Sequence, residues 1–572
     1  MSRIGNGLAA RLSGRHGVTG FSSQPQPKAL GEAVRGRQYL AGNLMFAGEL
    51  VELPPNVQTP WEIAPPSADY SAALHGFAWL DDLTAVGSTS ALETARRWTH
   101  GWIARYSRGQ GPGWTPWLAG RRQIRLITHA ITLMNGVSGD DTAALIDVMG
   151  RQARFLAQRW KSTKPGFARF EALTGYVQSA SALSGMHDRL PHALSDMASV
   201  LQRDIDASGG IASRNPEELL EIFALLTWTA DVLRDMGHKP DPALDRAIAR
   251  IAPTLRSLRH SDGGLARFHG GGRGRPGLLD LALRQARLRP SMAQGKAMGF
   301  GRLSGGAVTL IVDAERPVTG PGSGRAHAST LAFQMTSARD PVIVSCGAGV
   351  RLGPDWRRAG RATPSHSTLV LEGYSSSRVA RGGAALVEGP KDVTAQVQSA
   401  GGASSITMSH DGWLQTHGLT HGRSLTLAAD GRLLRGEDTL SALDAADRKL
   451  FDRVLHYAPN SSLSYNIHFH LHPDIHASLD MGGQAVSLSL RNGEVWIFRR
   501  MVAEGDASAT LKVHPSIYLD SRHLSARATK QIVLSGRAAS YGTAIHWSIA
   551  CPKGPTRRRK LAPVILLNDP EI

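Results

Sequence analysis

The chain has 572 residues, of which 42% are hydrophobic and 20% are charged. That length exceeds one ordinary domain, and the composition excludes a disordered or fibrous protein. The formal net charge of +18 comes mainly from arginine, which outnumbers lysine 54 to 11. The arginine excess can reflect genomic base composition alone, or it can indicate an anionic partner, because guanidinium groups pair with carboxylate, sulfate or phosphate.

Several further classes of protein are disfavoured by motifs that the sequence lacks. It has no zinc-finger spacing, no RNP-type aromatic motif and no P-loop, so we expect no nucleic-acid partner. Cys346 and Cys551 are the only cysteines, too few for a disulfide framework. The basic N-terminus is not followed by an apolar core of signal-peptide length. No run of about 18 apolar residues occurs, so we expect no membrane span.

The first half of the chain has the apolar spacing of helices. In residues 141–160 apolar side chains recur every three or four positions and share one helical face. Residues 216–237 predict another helix, with Asn215 as its N-cap and Pro216 at its first position. Residues 242–259 repeat the pattern. Successive helices joined by short polar turns predict stacked helical hairpins.

The second half reads as short strands between turns, which is typical of a β-sandwich. The segment around Asn492-Gly493 predicts a β-hairpin, and these two residues could supply the positive φ angles of a type I′ turn. His468, His470 and His472 alternate, so a strand would place them on one face. The glycine-rich junction 267–277 predicts a mobile or ligand-facing loop.

Three stretches of the second half resemble the C-terminal domain of heparinase II/III proteins. In order, these stretches are AHASTLAFQM (326–335), PVIVSCG (341–347) and WRRAGRATPSHSTLVLEG (356–373). They match a His-rich strand, a strand ending in a small-residue turn, and an Arg-rich loop leading into a His-Ser-Thr strand. Upstream, LHGFAWLDDL (74–83) and GGIASRNPEELLEIFALL (209–226) are similar to the helical domain of an alphaproteobacterial branch of that family.

The resemblance implies an α+β multidomain protein, with an N-terminal (α/α) toroid followed by a C-terminal antiparallel β-sandwich. The predicted boundaries are an N-terminal extension (1–34), the helical domain (35–285), the sandwich domain (295–555) and a basic tail (556–572).

The resemblance also implies an activity. Family members cleave a bond beside a uronic acid by β-elimination, which requires a group that neutralises the carboxylate, a base and an acid. The expected partner is therefore an anionic polysaccharide. The family implies the cell envelope or periplasm as location, and the cytoplasm is the alternative because no signal peptide is visible.

Several positions depart from the family pattern. Phe167 and Ala168 stand where an Asn-His pair is expected, Glu218 where a tyrosine is expected, and Arg325 where a second histidine is common. Two hypotheses remain open. The chain is a lyase that uses other groups, or it is a binder of anionic glycans that has lost the usual proton-transfer residues.

For the lyase hypothesis we assign Glu218 as base, Arg325 as the group that neutralises the carboxylate, and Tyr176 as acid. Polar residues near these positions are candidates for substrate binding; the alternatives are a plain helix cap for those before residue 216 and a solvated loop for those in 357–361. Two tryptophans in a Gly/Pro-rich segment are also candidates and are expected to be exposed, with core packing as the alternative. These candidates are Arg214, Asn215, Arg357, Arg358, Arg361, Trp114 and Trp117.

The resemblance further implies one structural zinc ion. In the family it is held by two histidines and an acidic residue that follows the intervening strand. The histidines correspond to His327 and His366, and the acidic position falls on or beside Ser345 and Cys346. We assign Cys346 as the third ligand, because a thiolate is a good zinc ligand. The alternative is two half-buried histidines and a core cysteine.

Overall fold

The computed structural model describes residues 2–14, 17–22, 31–320, 322–350, 352–381, 385–400, 402–501, 509–520 and 525–552. The predicted basic tail and part of the predicted N-terminal extension lie outside these ranges. The chain divides into two compact units. Unit 1 comprises Met1–Ala207, Glu221–Arg250 and Leu278–Arg289, and unit 2 comprises Ser208–Leu220, Ile251–Gly277 and Pro290–Ile572.

Helices dominate the first part of the chain, as the apolar spacing predicts. They are α1 (Ser2–Leu12), α2 (Ala33–Leu40), α3 (Ala68–His75), α4 (Ala78–Val86), α5 (Thr89–Tyr106), α6 (Pro116–Thr128), α7 (Ala130–Met134), α8 (Gly139–Arg159), α9 (Phe167–Ala182), α10 (Leu190–Asp204), α11 (Pro216–Asp235), α12 (Pro242–Ser257) and α13 (Leu278–Gln285). A short hairpin, β1 (Asn43–Phe46) and β2 (Glu49–Glu52), lies among them.

Strands dominate from residue 300 onward. They are β3 (Phe300–Gly305), β4 (Val308–Asp313), β5 (Phe333–Ser337), β6 (Asp340–Val344), β7 (Leu369–Leu371), β8 (Arg378–Val379), β9 (Leu386–Glu388), β10 (Val393–Ala400), β11 (Ala403–Trp413), β12 (Leu419–Leu427), β13 (Leu433–Ser441), β14 (Leu463–Leu471), β15 (His476–Asp480), β16 (Ala485–Ser489), β17 (Val495–Met501), β18 (Ala509–Tyr518), β19 (Arg527–Ala538) and β20 (Gly542–Ala550). Among the described residues of this part, the helices α14 (Pro354–Ala359), α15 (Leu414–His417) and α16 (Ala445–Tyr457) interrupt the strands.

Helix ends follow the capping chemistry of the sequence. The Ser138 hydroxyl accepts the backbone N–H of Asp141 at the start of α8. The Asn215 side chain accepts the N–H groups of Glu217 and Glu218 at 3.0 and 3.1 Å, which confirms Asn215 as the N-cap of α11. Among the described helices, none is long and apolar enough to cross a membrane.

The core of unit 1 is aromatic around one buried arginine. Trp79, Trp98 and Trp102 are at most 1% exposed. The Arg122 guanidinium lies 4.0 Å from the Trp102 ring centroid and donates to the Gln152 side chain at 2.8 Å. Burial without a carboxylate among its described contacts lowers the pKa of Arg122 to about 9. Most of the N-terminal tryptophans therefore serve packing.

The described residues of unit 2 form two large antiparallel sheets. One sheet has the strand order β10-β11-β12-β13-β20-β17-β16-β15, and the other has the order β18-β19-β14-β6-β5-β4-β3, with β7 paired to β14. Alternating burial along β12 and β13 means that one face of their sheet is covered. Phe333 of one sheet stacks on Trp547 of the other at 5.8 Å, so the two sheets share one core, as a sandwich requires.

Two details of the sandwich depend on glycine. A Cβ on Gly436 would collide with the Trp547 ring, so the tight packing of β13 against β20 needs glycine there. The predicted hairpin forms between β16 and β17, but the predicted type I′ turn is wrong. Gly493 has a φ of 85° and donates to the Leu490 carbonyl, whereas Asn492 is not in the positive-φ region. A three-residue loop ending in a left-handed glycine replaces the two-residue turn.

Candidate functional site

The site predicted from the resemblance maps to a closed polar cluster inside unit 2. We call His269, His327 and His366 the histidine cluster. Their ring centroids are 6.2 Å apart between His269 and His327 and 5.1 Å apart between His327 and His366. Each ring is at most 1% exposed. The loop before α13, the segment after β4 and the segment before β7 therefore converge at this point.

Backbone groups hold the cluster in place. The N–H of Gly270 donates to His327 Nε2 at 3.0 Å, and the N–H of His327 donates to His269 Nδ1 at 3.2 Å. His366 Nδ1 lies 3.1 Å from the Ser345 hydroxyl. Of the cluster's ring nitrogens, His327 Nδ1 and His366 Nε2 have neither a hydrogen-bond partner nor a carboxylate among the described residues, whereas His269 Nε2 contacts the Asp313 carboxylate.

A buried ion pair borders the histidine cluster. The Asp313 carboxylate lies 2.6 Å from Arg214 Nη2, accepts the Ser329 hydroxyl at 2.6 Å and lies 3.3 Å from His269 Nε2. The Arg214 guanidinium and the two hydrogen-bonded neighbours hold the pKa of Asp313 far below its usual range, even though burial opposes ionisation.

The histidines themselves are neutral at physiological pH. Burial, reinforced by neighbouring histidines, lowers the pKa of His366 to about 3 and lowers the pKa of His327 well below its ordinary value. Burial also lowers the pKa of His269, although Asp313 opposes the shift. The histidine cluster is therefore uncharged, and the Arg214–Asp313 ion pair beside it has no net charge.

The zinc site implied by the resemblance does not fit these residues. Cys346 Sγ lies 3.5 Å from His470 Nδ1 and 3.9 Å from the Ser516 hydroxyl, and burial raises the pKa of its thiol. The position expected to be acidic falls on or beside Ser345 and Cys346, and neither residue is acidic. Across the described ranges, no group of three His, Cys, Asp or Glu side chains has an arrangement that could hold a metal ion. Two imidazoles without a third anionic ligand fall short of a structural zinc site.

The predicted catalytic residues are spread over both units. Glu218 lies half-buried in the first turn of α11, and Arg325 is exposed. Tyr176 belongs to α9 in unit 1, is 3% exposed, and has its pKa raised by burial. A small cavity of about 170 Å³ in unit 2 is lined by Arg325 and by Glu217, not by Glu218.

Glu217 and Arg267 also line this cavity, and neither is among the candidate site residues predicted from the sequence. Glu217 Oε2 accepts the N–H of Gly272 at 2.7 Å. The Arg267 guanidinium donates to the carbonyls of Ser345, Cys346 and Leu519, the last at 2.7 Å. The glycine-rich junction therefore begins with a buried, hydrogen-bonded arginine rather than as a mobile loop. Its residues 270–272 line the cavity.

The arginines proposed for substrate binding divide into structural and exposed groups. All five N–H groups of Arg214 are engaged, with Asp313 and with the carbonyls of Met298, Gly299, Glu315 and Arg316. Arg361 is 1% exposed and donates to the carbonyls of Ala326 and Ser323. Arg357 and Arg358 are exposed on α14.

The two tryptophans predicted as an exposed pair are not exposed together. Trp114 is 3% exposed and donates to the Tyr106 carbonyl at 2.7 Å, so its predicted exposure is wrong. Trp117 is half-buried, with the Arg121 guanidinium 5.1 Å from its ring centroid. The packing of α6 against its neighbours accounts for both placements.

Comparison with known proteins agrees with this architecture. Residues 287–548 match the family model "Heparinase II/III-like, C-terminal". "FtsZ-localized protein C" of Caulobacter vibrioides is 30% identical over 545 residues, which are 94% of this chain and 91% of that protein.

Solved structures extend the similarity to nearly the whole chain. A crystal structure of heparinase III has a TM-score of 0.67 at 12% identity, covering 96% of this chain and 89% of that one. A mutant of heparan sulfate lyase HepC from Pedobacter heparinus has a TM-score of 0.61 at 12% identity, covering 98% and 89%. At such identities the similarity concerns the fold. With its helical N-terminal region, its antiparallel sheets and these matches, the chain belongs to the heparinase II/III-like family.

Proposed function

We propose that this chain is a non-catalytic member of the family that binds an anionic polysaccharide. The observation that carries the proposal is the engagement of Arg214, whose five N–H groups all contact protein acceptors. A β-eliminating enzyme needs a cation or donor free to neutralise the uronate carboxylate. Arg214 cannot fill that role without breaking the ion pair with Asp313, which leaves it to Arg325, the residue assigned to it from the sequence.

The remaining candidates for catalysis give little support to a lyase. Arg325 is exposed, where water weakens its effect on a substrate carboxylate. Glu217, which shares the small cavity with Arg325, accepts a backbone N–H. An exposed arginine beside an engaged carboxylate suits binding better than proton abstraction.

Incubation with uronate polymers tests this proposal. β-Elimination creates a conjugated double bond that absorbs in the ultraviolet, and we expect no such product from the wild-type protein. Binding to heparan sulfate should be measurable and should weaken as salt rises, because ionic screening shortens the reach of exposed charges. Accumulation of unsaturated product that Glu218→Gln or Arg325→Ala abolishes would overturn the non-catalytic assignment.

A second function is supported by the relative from Caulobacter vibrioides. Its name describes localisation with FtsZ, and it is 30% identical over 94% of this chain. We propose that this chain also localises with FtsZ; for its compartment, the family implies the cell envelope or periplasm, and the cytoplasm is the alternative. A fluorescent fusion imaged together with labelled FtsZ tests this. A fusion whose distribution does not follow FtsZ would contradict the second function and leave polysaccharide binding untouched.

A further inference from the structure

Unit 2 also contains a groove much larger than the cavity beside Arg325. No residue of the histidine cluster lines it. It encloses about 1410 Å³ and lies among the end of β4, helix α14, the β8–β9 hairpin and helix α15. We call it the sandwich groove. Pockets for single small molecules usually measure about 300–1,000 Å³. Its size therefore fits a section of an oligomer rather than one small metabolite.

The charges in the sandwich groove that lack a partner are positive. Its three carboxylates are engaged: Glu315 with Lys296 at 2.8 Å, Glu388 with Arg378, and Asp411 with the backbone N–H groups of Lys391 and Asp392. In contrast, three exposed cations of the groove pair with no carboxylate of a described residue, namely Arg316, Arg358 and Lys391. The groove is therefore prepared to receive negative charge.

The walls also offer hydrogen bonds and an aromatic face. Ser377 and Trp413 line the groove, are 3% and 1% exposed, and their Oγ and Nε1 atoms have no partner among the described residues. Leaving a buried donor without a partner is costly, so a ligand acceptor would relieve it. Tyr374 is 64% exposed on the same surface and can stack on an apolar ring face.

We propose that the sandwich groove binds an acidic oligosaccharide, at a place separate from the histidine cluster. The inference rests on the proposed polysaccharide binding and names its site. Carboxylate or sulfate groups would meet Arg316, Arg358 and Lys391, sugar hydroxyls would meet Ser377 and the Trp413 indole, and a sugar ring would stack on Tyr374. An acidic peptide would satisfy the cations, and its carbonyls could accept from the same donors, but its backbone offers no pyranose face to stack on Tyr374, so the glycan is favoured.

A charge-matched pair of variants provides the test. The groove variant is Arg316→Gln/Arg358→Gln/Lys391→Gln, and the control is Arg432→Gln/Arg435→Gln/Lys449→Gln, which removes three exposed cations of unit 2 outside the groove. The probe is a labelled heparan sulfate oligosaccharide. The groove variant should bind at least about tenfold more weakly than wild type, since charge-assisted hydrogen bonds are lost. The control should stay within about twofold of wild type, where exposed charge pairs contribute little.

A second variant distinguishes specific binding in the groove from general attraction between the protein's net charge and the glycan. Tyr374→Ala removes an exposed ring, so the thermal midpoint should not change while heparan sulfate affinity falls about fivefold or more. The chain should bind heparan sulfate more tightly than a poly-glutamate peptide of equal charge.

The outcomes are distinct. If the groove and control variants lose affinity for heparan sulfate equally, or if neither loses affinity, the groove is not the binding site, and the proposed polysaccharide binding still stands. Preference for poly-glutamate assigns the groove to a peptide and overturns the glycan proposal. Failure of wild type to bind any acidic glycan overturns the proposed function together with its site.

Discussion

Asp313→Asn tests whether the buried Arg214–Asp313 ion pair stabilises unit 2. The substitution keeps the side-chain shape and removes the charge that faces Arg214 at 2.6 Å. Arg214 is 7% exposed and Asp313 is fully buried, so the guanidinium would be left as an uncompensated buried charge. Breaking a buried ion pair in this way costs about 3–5 kcal/mol of unfolding free energy.

Urea denaturation, followed by tryptophan fluorescence, measures this loss. Asp430→Asn is the matched control, because Asp430 is exposed and lies 3.8 Å from Arg432, so its removal should cost about 0–1 kcal/mol. A loss below about 1 kcal/mol for Asp313→Asn would refute the structural role. The Arg214–Asp313 pair would then be free to serve ligand binding rather than stability.

Acid provides a second readout of the same pair. The pKa of folded Asp313 lies below its unfolded value of about 3.9, so its stabilisation is fully present above that pH and disappears as the pH falls toward the folded value. Wild type should therefore lose more stability than Asp313→Asn when the pH falls below about 4.

Two further predictions concern the histidines. Burial lowers the pKa of His366 to about 3 and the pKa values of His260 and His470 to about 4, whereas unfolded histidine titrates near about 6.5. As the pH is lowered, the unfolded state therefore takes up protons before the folded state does. The temperature of the thermal midpoint should decrease as the pH is lowered from about 6.5 to about 4; a constant midpoint across that range would contradict buried neutral imidazoles. Zinc analysis of the purified protein should find no stoichiometric metal, and a chelator should leave the thermal midpoint unchanged; one zinc per chain that disappears in His366→Ala would restore the metal site.

Local sequence patterns predicted the class of each half of the chain. Apolar spacing, Asn215 as a cap and Pro216 at the first helical position place α11 correctly, because helix formation depends on residues within a few positions of each other. Alternation likewise predicts the strands and the hairpin of β16 and β17. The turn type was wrong because Asn492 keeps an ordinary negative φ and only Gly493 takes the left-handed conformation.

The tertiary structure alone decided which polar residues are structural. In sequence, Arg214, Arg358 and Arg361 are equivalent cations, each within a stretch that resembles the family. Arg214 and Arg361 are buried among carbonyls contributed by distant segments, whereas Arg358 remains exposed at the sandwich groove. Cys346 likewise meets His470, which lies 124 positions away along the chain. Hydrogen-bond partners at such separations are set by how the sheets pack, so local spacing determines the elements while long-range packing determines what each side chain does.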